Sequence, residues 1–498
     1  MPDSISRQQP FTKISPKDAN SIRFVSFNVN GIKTVFNYHP WNKINNDLNT
    51  MFDLLQADLI TLQELKLTEQ SLGSLKDIGH LKNYRSFISL PAKKKGYSGV
   101  GLFVRVPQSP TERKYLSVVK AEEGLSGWLA DKNGKAYRLQ DESIGGYTTI
   151  DETQGLHIDS EGRCVVVELV NNCVVFALYC PANSSATEEG EVYRLQFLQQ
   201  LLQRCHNLKF KCGKDVIIMG DINVCLDLID SAEGINDRLE TKQITDITDG
   251  CAFELANYDE CCKFKKSRPA RELLNDYVIR SLVQHNTEAP APTATSFANH
   301  FLYDTTRYVQ GRRRKLYTVW NTLTSSRQIN YGSRIDLILC SSIKMLQHVA
   351  NAGIWPFILG SDHCPVFTDF SLWNEDSPST VATDSTFIGN PPRLSFEAKN
   401  HFKLNRTRDI STLFGNGKKR PVQLDSGATS ASSVDPVTSS SDKSATPESQ
   451  SSKVAAAAAE TAETTETSTT AKKPKLVYTS RKVANRTTKS KAINDYFT

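Results

Sequence analysis

From about residue 22 to about residue 372, short apolar runs alternate with segments whose apolar residues recur at helical spacing. Eight of the runs predict strands: IRFVSFNV, ADLITLQE, SGVGLFVRV, RCVVVELV, CVVFALYC, DVIIMGDIN, RIDLILCS and CPVFTDFSL. They are rich in Val, Ile and Phe, side chains that fit a pleated and buried surface. VYRLQFLQQLLQRC and NKINNDLNTMFDLLQ carry apolar residues at helical intervals and predict helices. Helices interspersed among so many strands predict a layered α/β domain with sheets at its centre. Three stretches, residues 121–159, 230–301 and the basic 307–315, read as insertions long enough to contain structure or carry function.

The two ends differ in texture. Residues 1–20 are polar and are expected to be disordered. From about residue 374 the chain turns Ser/Thr/Ala/Glu/Lys-rich, as in SATPESQSSKVAAAAAETAETTETSTTAKKPK. Such a segment cannot bury enough apolar surface to offset its ordering entropy. A folded domain at 21–373 followed by a disordered tail at 374–498 is therefore expected.

Hydrophobic residues make up 39% of the 498, enough for a substantial core, and the net charge is +6. That mild basicity suits a nucleic-acid partner without requiring one. The 11 cysteines all lie between Cys164 and Cys364, and no Cys-x-x-Cys pair occurs. A disulfide framework is not expected, which points to a reducing compartment. The chain has no apolar core of signal-peptide length and no run near ~18 apolar residues, so a transmembrane helix is excluded.

Six polar motifs sit at the ends of the apolar runs. They are Phe27-Asn28-Val29-Asn30-Gly31, Leu62-Gln63-Glu64-Leu65-Lys66, Tyr179, Gly220-Asp221-Ile222-Asn223, Arg334-Ile335-Asp336 and Gly360-Ser361-Asp362-His363-Cys364-Pro365. The set holds carboxylates, carboxamides, a phenol and an imidazole, with no nucleophilic serine or cysteine. That inventory suits a divalent cation and an activated water attacking phosphorus. If Glu64, Asp221, Asp336 and Asp362 converge on one rim, their repulsion in a low-dielectric cleft is costly, and a cation relieves it. All-oxygen ligands favour Mg²⁺ or Mn²⁺ over zinc. Taken singly, each carboxylate can equally be a turn or cap residue, and His363 a structural histidine.

In order, F-N-x-N-G, L-Q-E-x-K, G-Y-S-G-V-G, E-G-R, Y-x-P, G-D-x-N, R-x-D and S-D-H-C-P resemble the exonuclease III family of abasic-site endonucleases, within the endonuclease–exonuclease–phosphatase superfamily. The resemblance covers residues 21–372. By its insertions and tail the chain is most similar to the fungal second class II AP endonucleases. The resemblance implies a DNase I-like four-layer α/β sandwich, two β-sheets packed between helices. It implies that Glu64, with Asn30 beside it, holds the metal, and that Asp221 orients or deprotonates the water. Asn223 and Asn28 would hold the phosphate and the hydrogen-bond network. Tyr179 would contact the phosphate or protonate the leaving oxygen. His363, oriented by Asp336, would contact the scissile phosphate, and Asp362 would serve a metal position. The expected metal set is Asn30, Glu64, Asp221, Asn223, Asp362 and His363.

Departures from the family pattern carry information. Position 30 is Asn where some relatives have Asp. Tyr179 is followed by Cys180-Pro181-Ala182-Asn183, so Asn183 is the candidate for a substrate-binding Asn that usually follows the Pro directly. The family's sugar pocket uses bulky aromatics just before the Trp matched by Trp320 and just before R-x-D. Here those positions are Val319 and Ser333. A roomier pocket is expected, favouring removal of 3′ blocking groups and 3′→5′ nucleotide removal over abasic-site incision.

Arg312-Arg313-Arg314-Lys315 and Lys93-Lys94-Lys95 flank cleft motifs and are candidate phosphate contacts, or else solvated loops. The final Ile493, Tyr496 and Phe497 resemble a sliding-clamp (PCNA) docking motif, and Ile410, Leu413 and Phe414 form a weaker copy. Lys472-Lys473-Pro474-Lys475 and Lys418-Lys419-Arg420-Pro421 suit nuclear import. The tail lacks the ligands for a zinc module. The leading reading is a nuclear, monomeric, Mg²⁺-dependent nuclease acting on double-stranded DNA with abasic sites or blocked 3′ ends, with no membrane association. An inositol phosphatase or deadenylase of the same superfamily, and a clamp-bound scaffold with weak activity, remain the alternatives.

Overall fold

The apolar runs become strands because most are covered on both faces, where an alternating pattern gives way to a continuous one. The computed structural model describes residues 11–72, 78–92, 94–279, 300–372 and 392–404. In chain order its strands are β1 (Ser21–Asn28), β2 (Leu59–Gln63), β3 (Tyr84–Ser89), β4 (Val100–Arg105), β5 (Val118–Glu123), β6 (Cys164–Leu169), β7 (Cys173–Tyr179), β8 (Asp215–Asp221), β9 (Val278–Ile279), β10 (Leu302–Asp304), β11 (Val319–Trp320), β12 (Gly332–Ser333), β13 (Asp336–Cys340), β14 (Val349–Ile354) and β15 (Val366–Ser371). All eight runs singled out in the sequence form strands.

One sheet has the order β14-β15-β1-β2-β4-β3 and the other β5-β6-β7-β8-β13-β10-β9. Both follow one plan. A central parallel pair, β1 with β2 or β7 with β8, is flanked by an antiparallel strand from late in the chain, β15 or β13. Alternate residues of each strand face opposite ways. Phe24, Leu59, Val175, Ala177, Ile217 and Met219 meet between the sheets. Val25, Phe27, Ile60 and Leu62 face outward onto Trp41, Leu48, Met51 and Phe52. Phe176, Leu178, Val216 and Ile218 face outward onto Phe197, Leu198, Leu201, Leu202, Cys205 and Leu208 of the helix Glu188–Phe210. The result is a DNase I-like sandwich of four layers, helices on each side of two packed sheets.

That helix runs further than its periodic core. Thr187 caps it by accepting from Gly190 N at 3.0 Å, and Glu188, Glu189 and Glu191 favour its positive end. The other expected helix, NKINNDLNTMFDLLQ, is interrupted. Asn45 and Asn46 adopt left-handed φ of 52° and 57°, and Asp47 caps a shorter helix, Leu48–Leu54. Asparagine tolerates that conformation, and the turn wins over the periodic pattern.

Both segments expected to be disordered hold packed residues. At the N-terminal end Ile14 is buried, and Lys17 Nζ pairs with Asp58 at 2.5 Å. Beyond the domain end expected at 373, Phe396 is wholly buried against Phe87 and Tyr137. Arg85 bonds Glu397 at 2.8 Å and Pro392 O at 3.0 Å. Residues 392–404 thus form a strap over the β3 edge, with Glu397 bridging to Phe87. Of the stretches read as insertions, 230–301 builds the helices Ala232–Glu240, Gly250–Ala256, Tyr258–Lys266 and Pro269–Asn275, around a small core of Leu228, Ile235, Phe253 and Phe264. No helix among the described residues is long and apolar enough to cross a membrane.

Candidate active site

Strand direction assembles the site. Parallel pairing sends the C-terminal ends of β1 and β2 to one rim, with Asn28 level with Gln63. The other sheet does the same with Tyr179 and Asp221. β13 runs antiparallel to β8, so its first residue, Asp336, lies level with Asp221. β15 runs antiparallel to β1, which delivers the loop before it, with His363, to the same rim. Gly220 permits the close approach of β7 to β8: a Cβ there would stand 2.0 Å from Leu178 O.

Asn28 is fully buried and joins the two sheets. Its amide nitrogen donates to Glu64 Oε1 and to Asp221 Oδ2, each at 2.9 Å, and its carbonyl oxygen accepts from Asn30 N at 3.0 Å. Glu64, Asp221 and His363 each place a ligand atom within 4.8 Å of the others. Lys66 pairs with Glu64 Oε2 at 2.9 Å and donates to Asn30 Oδ1. Asn30 Nδ2 donates to Asp362 Oδ1 at 2.9 Å. Asn30, Glu64, Lys66 and Asn223 all adopt φ between 45° and 54°. Left-handed backbone at a non-glycine residue costs about 1–3 kcal/mol and gathers at functional sites.

His363 Nδ1 lies 2.9 Å from Asp336 Oδ2 and its Nε2 3.8 Å from Asp221 Oδ2. Burial opposes the imidazolium, but Asp336, Asp221 and Asp362 outweigh it and lift the histidine to about 10. Burial, with the charge of Asp336, pushes Asp221 up to about 7, against the pull of His363 and Asn28. Thr318 Oγ1 donates to Asp336 Oδ2 at 2.6 Å. Burial and the nearby Glu64 and Asp221 raise Tyr179 well above an ordinary phenol, so it stays protonated. The Arg163 guanidinium sits 4.7 Å over the Tyr179 ring and bonds Tyr179 O at 3.1 Å. Asn223 Nδ2 donates to Cys180 O at 2.8 Å, which fixes the orientation of its amide.

Several expected substrate contacts are engaged elsewhere. Asn183 bonds Thr187 O at 3.1 Å and Glu191 Oε2 at 3.2 Å, serving the start of the long helix rather than the cleft. Arg312, expected on a phosphate, is instead buried between Asp227 and Glu254, both at 2.7 Å. Arg314 pairs with Asp246 at 2.6 Å and covers Phe253, while Arg313 covers Phe11 at 4.8 Å. Of that run Lys315 is exposed, as are Lys94 and Lys95 of the other; Lys93 lies outside the described residues. Trp320 is 3% exposed, with its Nε1 bonded to Asn330 Oδ1 at 3.1 Å. Val319 and Ser333, paired across β11 and β12, border an open cleft of about 630 Å³ with Trp320, Tyr331 and Asp362. Ile493, Tyr496 and Phe497, the weaker copy at 410–414 and the basic import runs all lie outside the described residues.

Lys66, Arg163 and Thr318 received no role from the sequence. The first two stood inside the quoted motifs L-Q-E-x-K and E-G-R, and that placement was the available signal.

Residues 25–363 match the Endonuclease/Exonuclease/phosphatase family model. The chain is similar to the DNA-(apurinic or apyrimidinic site) endonuclease 2 of Saccharomyces cerevisiae, 42% identical over 417 residues, 81% of this chain and 75% of that protein. The protein of that name from Schizosaccharomyces pombe is 30% identical over 424 residues, 83% of this chain and 70% of its own length. Among solved structures, the Xenopus laevis APE2 catalytic domain superposes with a TM-score of 0.51 at 26% identity, covering 72% of this chain and 95% of that one.

Proposed function

The chain belongs to the endonuclease/exonuclease/phosphatase family, and from that membership we propose a DNA-repair nuclease that hydrolyses phosphodiesters at 3′ ends and abasic sites. The observation that carries this reading is the Asn28 amide shared by Glu64 and Asp221. It fixes two carboxylates from different sheets beside a carboxylate-bound histidine, with no side-chain nucleophile among them. Such a constellation activates water.

The donors suit a hard divalent cation. Glu64, Asp221 and His363 converge, and Asp336 Oδ1 is a buried oxygen with no hydrogen-bond partner among the described residues. Oxygen-dominated donors favour Mg²⁺, with Mn²⁺ as substitute, over zinc. Glu64 and Asp221 would hold the ion, with the Asn30–Asp362 pair alongside. When bound, it supplies charge neutralisation at the phosphoryl oxygens.

The remaining work falls to the chain. Asp221 accepts the proton of the attacking water and points it at phosphorus. The His363 imidazolium, held by Asp336, stabilises charge on the phosphoryl oxygens through Nε2. The Tyr179 hydroxyl donates to the leaving oxygen. Asn223 and Asn28 keep the carboxylates in register. The open cleft beside Val319 and Ser333 admits a bulkier 3′ group than a base-free sugar, which supports 3′-phosphodiesterase and 3′→5′ exonuclease activity over incision.

Nuclear localisation follows from repair and from the basic import runs. Docking of Ile493, Tyr496 and Phe497 on the sliding clamp would tether the nuclease at DNA ends and raise its local concentration. The deciding assay compares 3′-blocked, mismatched and abasic duplexes with Mg²⁺. Cleavage is expected to vanish with chelator and in Asp221→Asn and Glu64→Ala. Cation-independent cleavage, or activity retained by both variants, would overturn the assignment. Faster abasic incision than 3′ trimming would overturn the preference.

A further inference from the structure

Arg327 lies in the polar connection between β11 and β12, outside every motif quoted above. Its guanidinium collects four main-chain carbonyls. One terminal nitrogen donates to Ser361 O at 2.8 Å and His363 O at 3.4 Å. The other donates to Pro356 O at 3.1 Å and Ile358 O at 2.6 Å. The same group lies 4.5 Å over the Trp320 ring. Among the described residues it makes no ion pair with a carboxylate.

Arg327 is half-buried, and the identity of its acceptors explains how it lies there without a carboxylate partner. All four carbonyls belong to residues 356–363, the loop that carries Asp362 and His363. Carbonyl contacts fix the path of a backbone whatever its side chains do. The planar fork of the guanidinium can meet two pairs of acceptors at once, which an ammonium cannot. The hairpin pins that loop as well. Trp320 N donates to Asp362 O at 3.0 Å, Cys364 N donates to Thr318 O at 2.8 Å, and Val319 bridges to His363.

The connection holding Arg327 also borders the cleft. Leu323, four residues earlier, is 94% exposed on its rim.

We propose that Arg327 is a positioning residue. It locks the loop bearing Asp362 and His363 to the cleft-lining hairpin, and it acts on the reaction only through those two residues. The proposal rests on the hydrolytic reading of the site. It predicts a split between kcat and KM. With full-length protein and a 3′-blocked duplex, Arg327→Met should lower kcat roughly 100-fold, the scale of a 1 Å misplacement, while KM stays within about twofold. Arg327→Lys keeps the charge but not the fork and should recover only part of the loss. A KM rise at unchanged kcat would make Arg327 a DNA contact and overturn the proposal. So would an unchanged kcat in folded Arg327→Met.

A second measurement needs no turnover. In ¹⁵N-histidine-labelled protein, the His363 ring resonances should shift in Arg327→Lys, while those of the distant His206 stay in place. Unmoved His363 resonances would overturn the inference even if the Met variant fails to fold. A wild type that cleaves no DNA would sink the functional reading, but this spectrum would still decide the positioning claim.

Discussion

Asp336 Oδ2 lies 2.9 Å from His363 Nδ1 and thereby leaves Nε2 facing Asp221. The pair fixes both the ring orientation and its charge. Asp336→Asn keeps the shape and removes the charge that outweighs burial. Its kcat is expected to fall roughly 10²- to 10³-fold, the range of a lost charge-stabilising donor. Single-turnover kinetics measure it, and a loss of less than tenfold would show that the ring charge is not used.

Val319 and Ser333 line an open cleft. The double variant Val319→Phe and Ser333→Trp should narrow it. The ratio of abasic incision to 3′ trimming is then expected to rise at least about tenfold, a binding difference of about 1.4 kcal/mol. Competition between the two substrates in one reaction reads this ratio directly.

Arg312 compensates Asp227 and Glu254 inside the protein, and with Lys265 it holds the Asp227 carboxyl well below the usual range against burial. Arg312→Ala removes the guanidinium that pairs with both buried carboxylates and leaves Asp227 with Lys265 at 3.4 Å. A loss of about 3–5 kcal/mol in urea unfolding is expected. The slope of DNA affinity against salt should be unchanged, whereas losing a phosphate contact would reduce it by about one.

Glu123 is half-buried, with Ser89 Oγ donating to it at 2.7 Å. Burial, aided by the charge of Asp159, raises its pKa from 4.5 to about 7. The fold therefore binds this proton more tightly than the unfolded chain does. The stabilisation is complete below pH about 4.5 and is lost as pH rises through about 7. Glu123→Gln should gain on the order of 2 kcal/mol relative to wild type at pH 8, after allowance for its exposed side, and nothing at pH 4.5. Thermal melts at the two pH values test the sign.

Phe396 anchors the strap over β3. Phe396→Ala is expected to cost about 3–5 kcal/mol. A chain ending at residue 373 should melt earlier than one ending at 404. Equal melting temperatures for the two would mean that the strap adds no stability.

The central strands were readable because burial on both faces gives unbroken apolar runs such as DVIIMGD. β3, β5 and β14 were not, since YRSFIS, VVKAEE and VANAGI mix polar residues into short or edge strands. The strap hid for a related reason: PPRLSFEAKNHF scatters its large apolar residues, Leu394, Phe396 and Phe402, among polar ones with no strand-like run. Residue types at strand ends announced the polar rim. They did not announce that Asn183 would turn to its own helix or Arg312 to two carboxylates, because side-chain partners depend on insertions whose packing has no local signature. Arg327 bonds backbone carbonyls, which every residue possesses, so no pattern of residue types could mark its partners.

β1 and β8 belong to different sheets, and no backbone ladder joins those sheets among the described residues. Side chains span the gap, and at the rim Asn28 reaches Asp221 at 2.9 Å. Sliding one sheet across the other by the width of a methyl group would break that bond and leave every ladder intact. Chemistry here has a tighter mechanical tolerance than folding has. Substitutions between the sheets, at Ala177 or Met219 for instance, can therefore silence a protein whose spectra and melting curve look native.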